Sequence, residues 1–186
     1  KTAIAILALT KIVENGYQGA LMAPTEVLAA QHFKTFQQVF KGMPIKTAYL
    51  SGHTKAAERK EILEQLKDGS IHILIGTHAL IEENVVFSAL GLVITDEQHR
   101  FGVKQRQALE SKGKSPHVLI MTATPIPRTM ALSVYGDLDV SFIKGMPPGR
   151  HPVKTYVVGS HMLQRIFRFM KKEMESGHQA YVVCPL

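Results

Sequence analysis

Two adjacent carboxylates, Asp96 and Glu97, directly follow residues 92–95, a run of three large aliphatic residues and one threonine. An uninterrupted apolar run predicts a strand that is buried on both faces, as in a parallel sheet covered by helices. In such sheets the ligand crevice lies just beyond the carboxyl ends of the strands. Carboxylates at that position can hold a phosphate-bound cation and activate an attacking water. The pair indicates a nucleotide-hydrolysis site, although acids after a strand also serve simply to cap the next helix.

Three other predicted strands also end in small or polar residues, at the tripeptides Ala-Pro-Thr, Gly-Thr-His and Thr-Ala-Thr. Parallel strands bring these ends to one edge of the sheet, beside the two carboxylates. Hydroxyls and helix starts commonly donate hydrogen bonds to a nucleic-acid backbone. Helix capping and turn formation are equally good explanations for each residue taken singly. The candidates for nucleic-acid contact are Thr25, Thr77 and His78.

Lys1 and Thr2 match the last two positions of the phosphate-binding loop G-x-x-x-x-G-K-[ST]. In that loop the lysine reaches the β- and γ-phosphates, and the hydroxyl binds Mg²⁺ at the N-terminus of a helix. The apolar pattern over residues 2–15 predicts such a helix, which Gly16 ends. The lysine–threonine pair has little weight alone, so its assignment depends on convergence with Asp96.

Predicted strands and helices alternate along the chain, which indicates stacked β-α-β units and an α/β fold. The helix after Thr25 repeats Leu28, His32, Phe36 and Val39 on one face. Further helices are predicted at residues 55–68, 103–111, 127–135 and 161–176. Strands are predicted at residues 20–23, 45–50, 71–75, 92–95, 117–121, 140–143, 153–158 and 180–184.

The chain divides at a segment rich in proline and glycine. Residues 144–152 predict a linker, because these residue types disfavour regular structure. The linker separates a first domain, residues 1–143, from residues 153–186, which have the strand–helix–strand order of a second domain's beginning. The sequence opens without a methionine and stops just after a strand-like run, so we expect both ends to be truncated.

The charge balance of the chain indicates what kind of partner it binds, and its cysteine content indicates the cellular compartment in which it acts. Lysine and arginine number 22 against 15 acidic residues, and the pI is about 9.5. A basic surplus favours a polyanionic partner, because each neutralised phosphate releases counterions. No run approaches the ~18 apolar residues of a membrane span, and the single cysteine, Cys184, fits a reducing cytoplasm. We therefore expect a cytoplasmic protein that contacts no membrane.

Five short motifs occur in the order found in superfamily-two helicases and translocases, which the chain resembles. The resemblance implies a RecA-like parallel sheet sandwiched by helices, followed by the start of a second RecA-like lobe. The matching segments are Lys1-Thr2 (motif I), residues 23–26 (motif Ia), residues 76–78 (the next motif), residues 96–99 (motif II) and residues 122–124 (motif III).

Within that superfamily the chain resembles the RecG family of bacterial DNA branch-migration helicases. Residues 99–103 and 122–129 look like segments that RecG shares with the transcription-repair coupling factor. Gln98 and residues 135–140 and 146–150 favour RecG over that factor. The resemblance implies an ATP-driven motor, monomeric and acting in the bacterial cytoplasm, that pulls duplex DNA and remodels stalled replication forks and Holliday junctions.

The resemblance also assigns roles to individual residues. Lys1, Thr2 and Asp96 would hold the phosphates of ATP and Mg²⁺, with Thr2 and Asp96 as metal ligands, and Glu97 would activate water. The residues that would couple this site to the DNA side are Gln98, His99, Thr122 and Thr124.

Two other functions stay open at this stage. One is the motor of a transcription-repair coupling factor, and the other is a nucleic-acid-binding module that does not hydrolyse ATP. The intact pair Asp96 and Glu97 disfavours the second, because a decayed motor could lose Glu97 without penalty. Because the glycines of the phosphate-binding loop are missing from this sequence, we expect the segment alone to be inactive.

Overall fold

A computed structural model describes residues 1–97, 103–123, 139–143 and 152–184 of the chain. Contacts divide it into two compact units, residues 1–136 and residues 137–186. This division falls slightly before the predicted end of the first domain at residue 143, and the predicted domain limits stay a prediction. Residues 127–135, predicted as a helix, and residues 144–151 of the predicted linker lie outside the described residues.

The first unit is built around a five-stranded parallel sheet with the strand order β2-β3-β1-β4-β5. This confirms the predicted α/β class, and the predicted helices and strands between residues 2 and 121 agree to within two residues at their ends. The elements are α1 (Thr2–Glu14), β1 (Gln18–Met22), α2 (Glu26–Val39), β2 (Thr47–Leu50), α3 (Ala56–Lys67), β3 (Ile73–Gly76), a short 3₁₀ helix (His78–Ile81), β4 (Leu90–Asp96), α4 (Val103–Glu110) and β5 (His117–Met121).

Local sequence signals explain where the helices begin and end. Gly16 and Gly69 follow α1 and α3 with φ angles of +81° and +87°, a left-handed conformation that glycine adopts without a Cβ clash. Thr25 caps α2, because its hydroxyl oxygen accepts a hydrogen bond of 3.3 Å from the backbone N–H of Leu28. The predicted cap at Thr25 is therefore confirmed.

Helices cover both faces of the sheet, as the uninterrupted apolar strands predict. Leu9 of α1 and Phe36 of α2 are fully buried in the core on one face. Leu66 of α3 and Leu109 of α4 are fully buried on the other face. The strands supply the partners of both layers, among them Leu21, Ile75 and Ile94 on the first face and Met22, Leu74 and Val93 on the second.

The buried stripe of α2 differs from the predicted one at its end. His32 and Phe36 are buried as expected, but Val39 is 42% exposed. Ala29 and Phe40 lie on the buried side instead. A helix of 3.6 residues per turn returns to the same face after three or four residues, so Phe40 fits the stripe better than Val39.

A buried amide, that of Gln18 in β1, joins three segments of the first unit. Its Nε2 donates to the carbonyls of Leu66 at 2.8 Å and Ile71 at 2.7 Å. Its Oε1 accepts from the backbone N–H of Ala89 at 3.0 Å. The side chain thus satisfies groups from the end of α3 and from the segments before β3 and β4. Sequence reasoning overlooked it, because the strand was predicted to begin at residue 20.

The second unit contains α5 (Leu163–Glu175) after a 3₁₀ turn at Ser160–Met162, as the amphipathic pattern predicts. Of its predicted apolar face, Leu163, Phe167 and Met174 are 48%, 56% and 50% exposed. The strands predicted at residues 140–143, 153–158 and 180–184 are wrong, because these residues form neither helix nor strand. A strand needs a paired neighbour and a buried face, and short isolated pairs supply too little of either.

Among the described helices, none is both long and apolar enough to cross a membrane.

The bonds of Gln18 predict a clear effect on stability. Replacing Gln18 with Leu should lower the free energy of unfolding by about 2–4 kcal/mol, because the carbonyls of Leu66 and Ile71 and the partly buried N–H of Ala89 each lose a hydrogen bond. Urea unfolding followed by circular dichroism measures the loss. The control is Gln37→Leu, a change on the exposed side of α2, which should stay within about 0.5 kcal/mol. Equal destabilisation by both changes would refute the importance of the amide.

Candidate functional site

The polar strand ends lie together at one edge of the sheet, which we call the carboxyl edge. Met22 pairs with Gly76 on one side and with Thr95 on the other. Asp96 in turn pairs with Met121. The residues that follow these positions, Ala23, Thr77, Glu97 and Thr122, therefore start their loops at a similar level of the sheet.

The carboxylate of Asp96 is held at both oxygens. Oδ2 lies 2.8 Å from Nε2 of His32, on α2. Oδ1 accepts a hydrogen bond of 3.0 Å from the backbone N–H of Glu97. The side chains of His32 and Asp96 are only 10% and 15% exposed. The carboxylate is consequently fixed in orientation, yet it still reaches the surface of the carboxyl edge.

The surroundings keep Asp96 ionised. The hydrogen bond from His32 is the main cause that lowers the pKa of the Asp96 carboxyl below its ordinary value of 3.8. Burial opposes this change, while the N–H of Glu97 and the charge of Lys1 reinforce it. An anionic carboxylate within the field of a lysine is suited to a cation–phosphate pair.

Glu97 has an unusual backbone conformation, with a φ angle of +50°. The left-handed region costs a residue with a Cβ atom about 1–2 kcal/mol. Strained positions of this kind cluster at functional sites, where the surrounding structure enforces them. Glu97 is half-buried and lies directly after β4. Its conformation supports a functional rather than a purely structural role.

The other residues assigned to the nucleotide site lie at the start of α1 and after β5. Lys1 is exposed and precedes α1, while Thr2 is its first residue and is half-buried. Thr122 is half-buried directly after β5. The remaining coupling candidates, Gln98, His99 and Thr124, lie outside the described residues.

The three residues assigned to nucleic-acid contact differ in exposure. His78 is exposed at the start of the 3₁₀ helix, and Thr25 is half-buried and engaged in its cap. Thr77 is 2% exposed, and its Oγ1 has no hydrogen-bond partner in the described part of the chain. Its hydroxyl is shielded from solvent in this arrangement, so a contact with a ligand requires a local shift. These assignments stay predictions.

A second histidine–carboxylate pair lies at the carboxyl edge. Nδ1 of His53, which follows β2, is 2.8 Å from Oε1 of Glu26, the first residue of α2. The hydrogen bond to His53 chiefly lowers the pKa of Glu26, and Ser51 and the charge of His78 add to it. The same bond raises the pKa of His53.

Sequence reasoning missed the functional potential of both histidine–carboxylate pairs. His32 was assigned only to the apolar face of α2, and His53 was not singled out. The available signal for His32 was a polar ring inside an otherwise apolar stripe. The signal for His53 was its place shortly after a predicted strand end.

Within the described ranges, no three histidine, cysteine, aspartate or glutamate side chains form a ready-made metal centre. The oxygen donors assigned to a cation are instead the carboxylate of Asp96, at the end of β4, and the hydroxyl of Thr2, at the start of α1. Both are the hard oxygen ligands that Mg²⁺ prefers. Mg²⁺ usually binds through one or two such groups and completes its shell with substrate phosphates and water. The residues present fit that mode.

Comparison with known proteins identifies the class of protein. A family model described as DEAD/DEAH box helicase matches residues 1–132. Because this match covers well over half of the chain, the chain belongs to the DEAD/DEAH box helicase family. Proteins of this family use nucleotides.

A particular helicase, RecG, is similar to the whole chain. The ATP-dependent DNA helicase RecG of Bacillus subtilis is 54% identical over 186 residues. RecG of Aquifex aeolicus is 47% identical, also over all of this chain. The chain spans about a quarter of the length of these relatives, 27% and 24% respectively. The predicted resemblance to the RecG family is confirmed.

Solved structures agree with the fold. The structure of RecG bound to a three-way DNA junction matches with a TM-score of 0.83 and 46% identity, over 99% of this chain and 25% of that chain. The DUF1998 helicase MrfA bound to DNA matches with a TM-score of 0.57 and 18% identity, over 73% of this chain and 20% of that chain. The predicted RecA-like architecture is confirmed.

The pair Glu26–His53 predicts a measurable titration. The favourable interaction is complete between the ordinary values of 4.5 for Glu26 and 6.5 for His53. It is lost as the pH rises through the raised pKa of His53, or falls through the lowered pKa of Glu26. NMR titration of the His53 ring should give a pKa above 6.5, and Glu26→Gln should bring it back towards that value.

An unchanged curve for His53 in the Glu26→Gln variant would contradict the assigned hydrogen bond.

Proposed function

We propose that the chain is part of the motor of an ATP-driven DNA translocase of the RecG type, which remodels stalled replication forks and Holliday junctions. The observation that carries the proposal is the fixed, ionised carboxylate of Asp96 beside the strained Glu97 at the carboxyl edge. The sequence identity to RecG over the whole chain supports the DNA-remodelling activity. The protein would act as a monomer in the bacterial cytoplasm.

In this proposal ATP is the substrate, and the start of α1 holds its phosphates. Lys1 would pair with the β- and γ-phosphates, and the helix N-terminus would add favourable partial charge. Thr2 and Asp96 would hold Mg²⁺, directly or through water. Mg²⁺, when bound, neutralises charge that develops on the phosphates during transfer. Burial does not raise the pKa of Asp96 overall, because its hydrogen bonds lower that pKa instead, so the residue stays an anionic ligand at neutral pH.

Glu97 would orient the attacking water and accept its proton. A general base must lie within hydrogen-bond reach of that water. The position of Glu97 directly after Asp96 brings its backbone next to the proposed metal ligand. Its left-handed backbone conformation supports this role, because strained conformations of this kind are found mainly at functional sites.

The DNA-binding part of the proposal concerns the other half of the carboxyl edge. Thr25, Thr77 and His78 would contact the phosphate backbone of a branched or forked duplex. The surplus of 22 basic over 15 acidic residues favours such a partner. The solved RecG structure contains a three-way DNA junction, which supports the same class of ligand.

Coupling of the two halves would pass through the residues that follow β4 and β5. The register pairs Asp96 with Met121, so Thr122 follows at the level of Glu97. A change at the nucleotide would therefore reach Thr122 across two adjacent strand ends. Gln98, His99 and Thr124 would act in the same route.

The proposal is tested by comparing DNA substrates. ATP hydrolysis by the full-length protein should be stimulated more by a forked duplex than by a linear duplex of the same length and composition. A RecG-type motor engages the branch, whereas a motor that only tracks along duplex DNA does not distinguish the two. Equal stimulation would contradict junction specificity, and ATP hydrolysis that no DNA stimulates would contradict the motor itself.

Replacing Glu97 with Gln in the full-length protein should keep ATP binding and lower turnover about 10²–10⁴-fold, because the base is lost while the phosphate ligands remain. Steady-state hydrolysis and equilibrium binding of a fluorescent ATP analogue measure the two effects separately. The control is Glu58→Gln, an exposed position in the first turn of α3, which should leave both unchanged. Normal hydrolysis by the Glu97→Gln variant would refute the assignment of the base.

A further inference from the structure

We propose that His32 is a positioning residue for the nucleotide site, which holds the Asp96 carboxylate in the orientation that binds Mg²⁺–nucleotide. This inference rests on the proposed role of Asp96. It concerns a side chain on α2 that lies outside the helicase motifs, the nearest of which is residues 23–26. The observation that carries it is the 2.8 Å contact between His32 Nε2 and Asp96 Oδ2.

The contact restrains a carboxylate that has two donors in different directions. His32 Nε2–H donates to Oδ2, and the backbone N–H of Glu97 donates to Oδ1. With one donor on each oxygen, rotation about the Cβ–Cγ bond breaks at least one hydrogen bond. Each oxygen of an ionised carboxylate still has accepting capacity for a further contact. The oxygen lone pairs that accept no hydrogen bond therefore point in a fixed direction, as a metal ligand requires.

The position of His32 is difficult to explain by packing alone. It lies between Ala29 and Phe36 on the buried stripe of α2, and both neighbours are fully buried. An aliphatic side chain there would fill the space without the desolvation cost of an imidazole. Within the described part of the chain, the imidazole is instead bonded to the carboxylate at the end of β4. The pairing links α2 directly to the proposed metal ligand at the carboxyl edge.

The same helix carries a second polar contact towards the proposed DNA side. Glu26, at the first position of α2, is bonded to His53, and Thr25 caps the helix. His32 follows on the same rigid helix within two turns. A movement of the N-terminus of α2 would thus also move the donor that holds Asp96. Through this hydrogen bond, the orientation of the Asp96 carboxylate would depend on the position of α2, which begins next to the proposed DNA contact Thr25.

Outer hydrogen-bond partners of metal ligands typically contribute 10–100-fold to metal affinity. The test is the Mg²⁺ concentration that half-saturates binding of a fluorescent, non-hydrolysable ATP analogue to the full-length protein. His32→Leu should raise this concentration about 10–100-fold. Binding of the same analogue in EDTA should not change, because the phosphate contacts proposed for Lys1 and the start of α1 do not involve His32.

Two amide variants separate the donor from the shape of the ring. In His32→Gln the amide N–H reaches about as far as Nε2, so half-saturation should lie close to that of the parent protein. In His32→Asn the amide is too short, so half-saturation should rise as in the leucine variant. These variants also decide the matter if circular dichroism shows that the leucine variant is unfolded.

The matched control is His178→Leu. His178 Nδ1 lies 2.8 Å from Oε2 of Glu173, so this histidine–carboxylate pair has the same contact distance but lies in the second unit. The control variant should bind the analogue with the Mg²⁺ dependence of the parent protein.

Three results would overturn the inference. The first is a half-saturating Mg²⁺ concentration like that of the parent protein in both His32→Leu and His32→Asn, and the second is an equal rise in this concentration in His32→Gln and His32→Asn. The third is a loss of affinity for the analogue in EDTA that is as large as the loss in Mg²⁺. Failure of the proposed function would look different, because the parent protein itself would then bind the analogue without any dependence on Mg²⁺.

Discussion

The parallel pairing of β4 with β1 on one side and β5 on the other is the constraint on which the rest of the first unit depends. A parallel strand in the middle of a sheet satisfies its backbone groups on both sides, and helices must cover both of its faces. Polar side chains are then excluded from the length of the strand and accumulate where it ends. Asp96 is the last residue of β4, and the pairing with Met121 aligns it with the end of β5. The backbone hydrogen bonds of the sheet therefore determine where the Asp96 carboxylate lies.

The polar groups that do enter the interior are held by specific partners. The side-chain amide of Gln18 forms hydrogen bonds with three backbone groups, which joins the segments before β3 and β4 to the end of α3. His32, on the buried stripe of α2, is paired with Asp96 at the carboxyl edge. An unpaired group at either position would cost about 1–3 kcal/mol. Gln18 acts near the amino ends of the strands and His32 near their carboxyl ends, so stability and proposed function are supported at opposite edges of one sheet.

Electrostatics at the carboxyl edge follow from these contacts. The histidine bond and the N–H of Glu97 keep Asp96 anionic, and Glu26 is kept anionic by His53. The chain as a whole carries a formal charge of +7. A fixed negative charge such as that of Asp96 is suited to bind a cation.

The sequence by itself determined the alternation of helices and strands, the parallel sheet, the ends of α1 and α3 at glycines, and the carboxylates at the end of β4. Periodicity, capping and breaker residues are local, and they act over a few positions. Only the tertiary structure decided that His32 meets Asp96 and that His53 meets Glu26, because these partners are 64 and 27 residues apart. It also decided that Thr77 is buried and that the strands predicted in the second unit do not form. Such outcomes depend on which distant segments of the chain come together and on whether a neighbouring strand is available to pair.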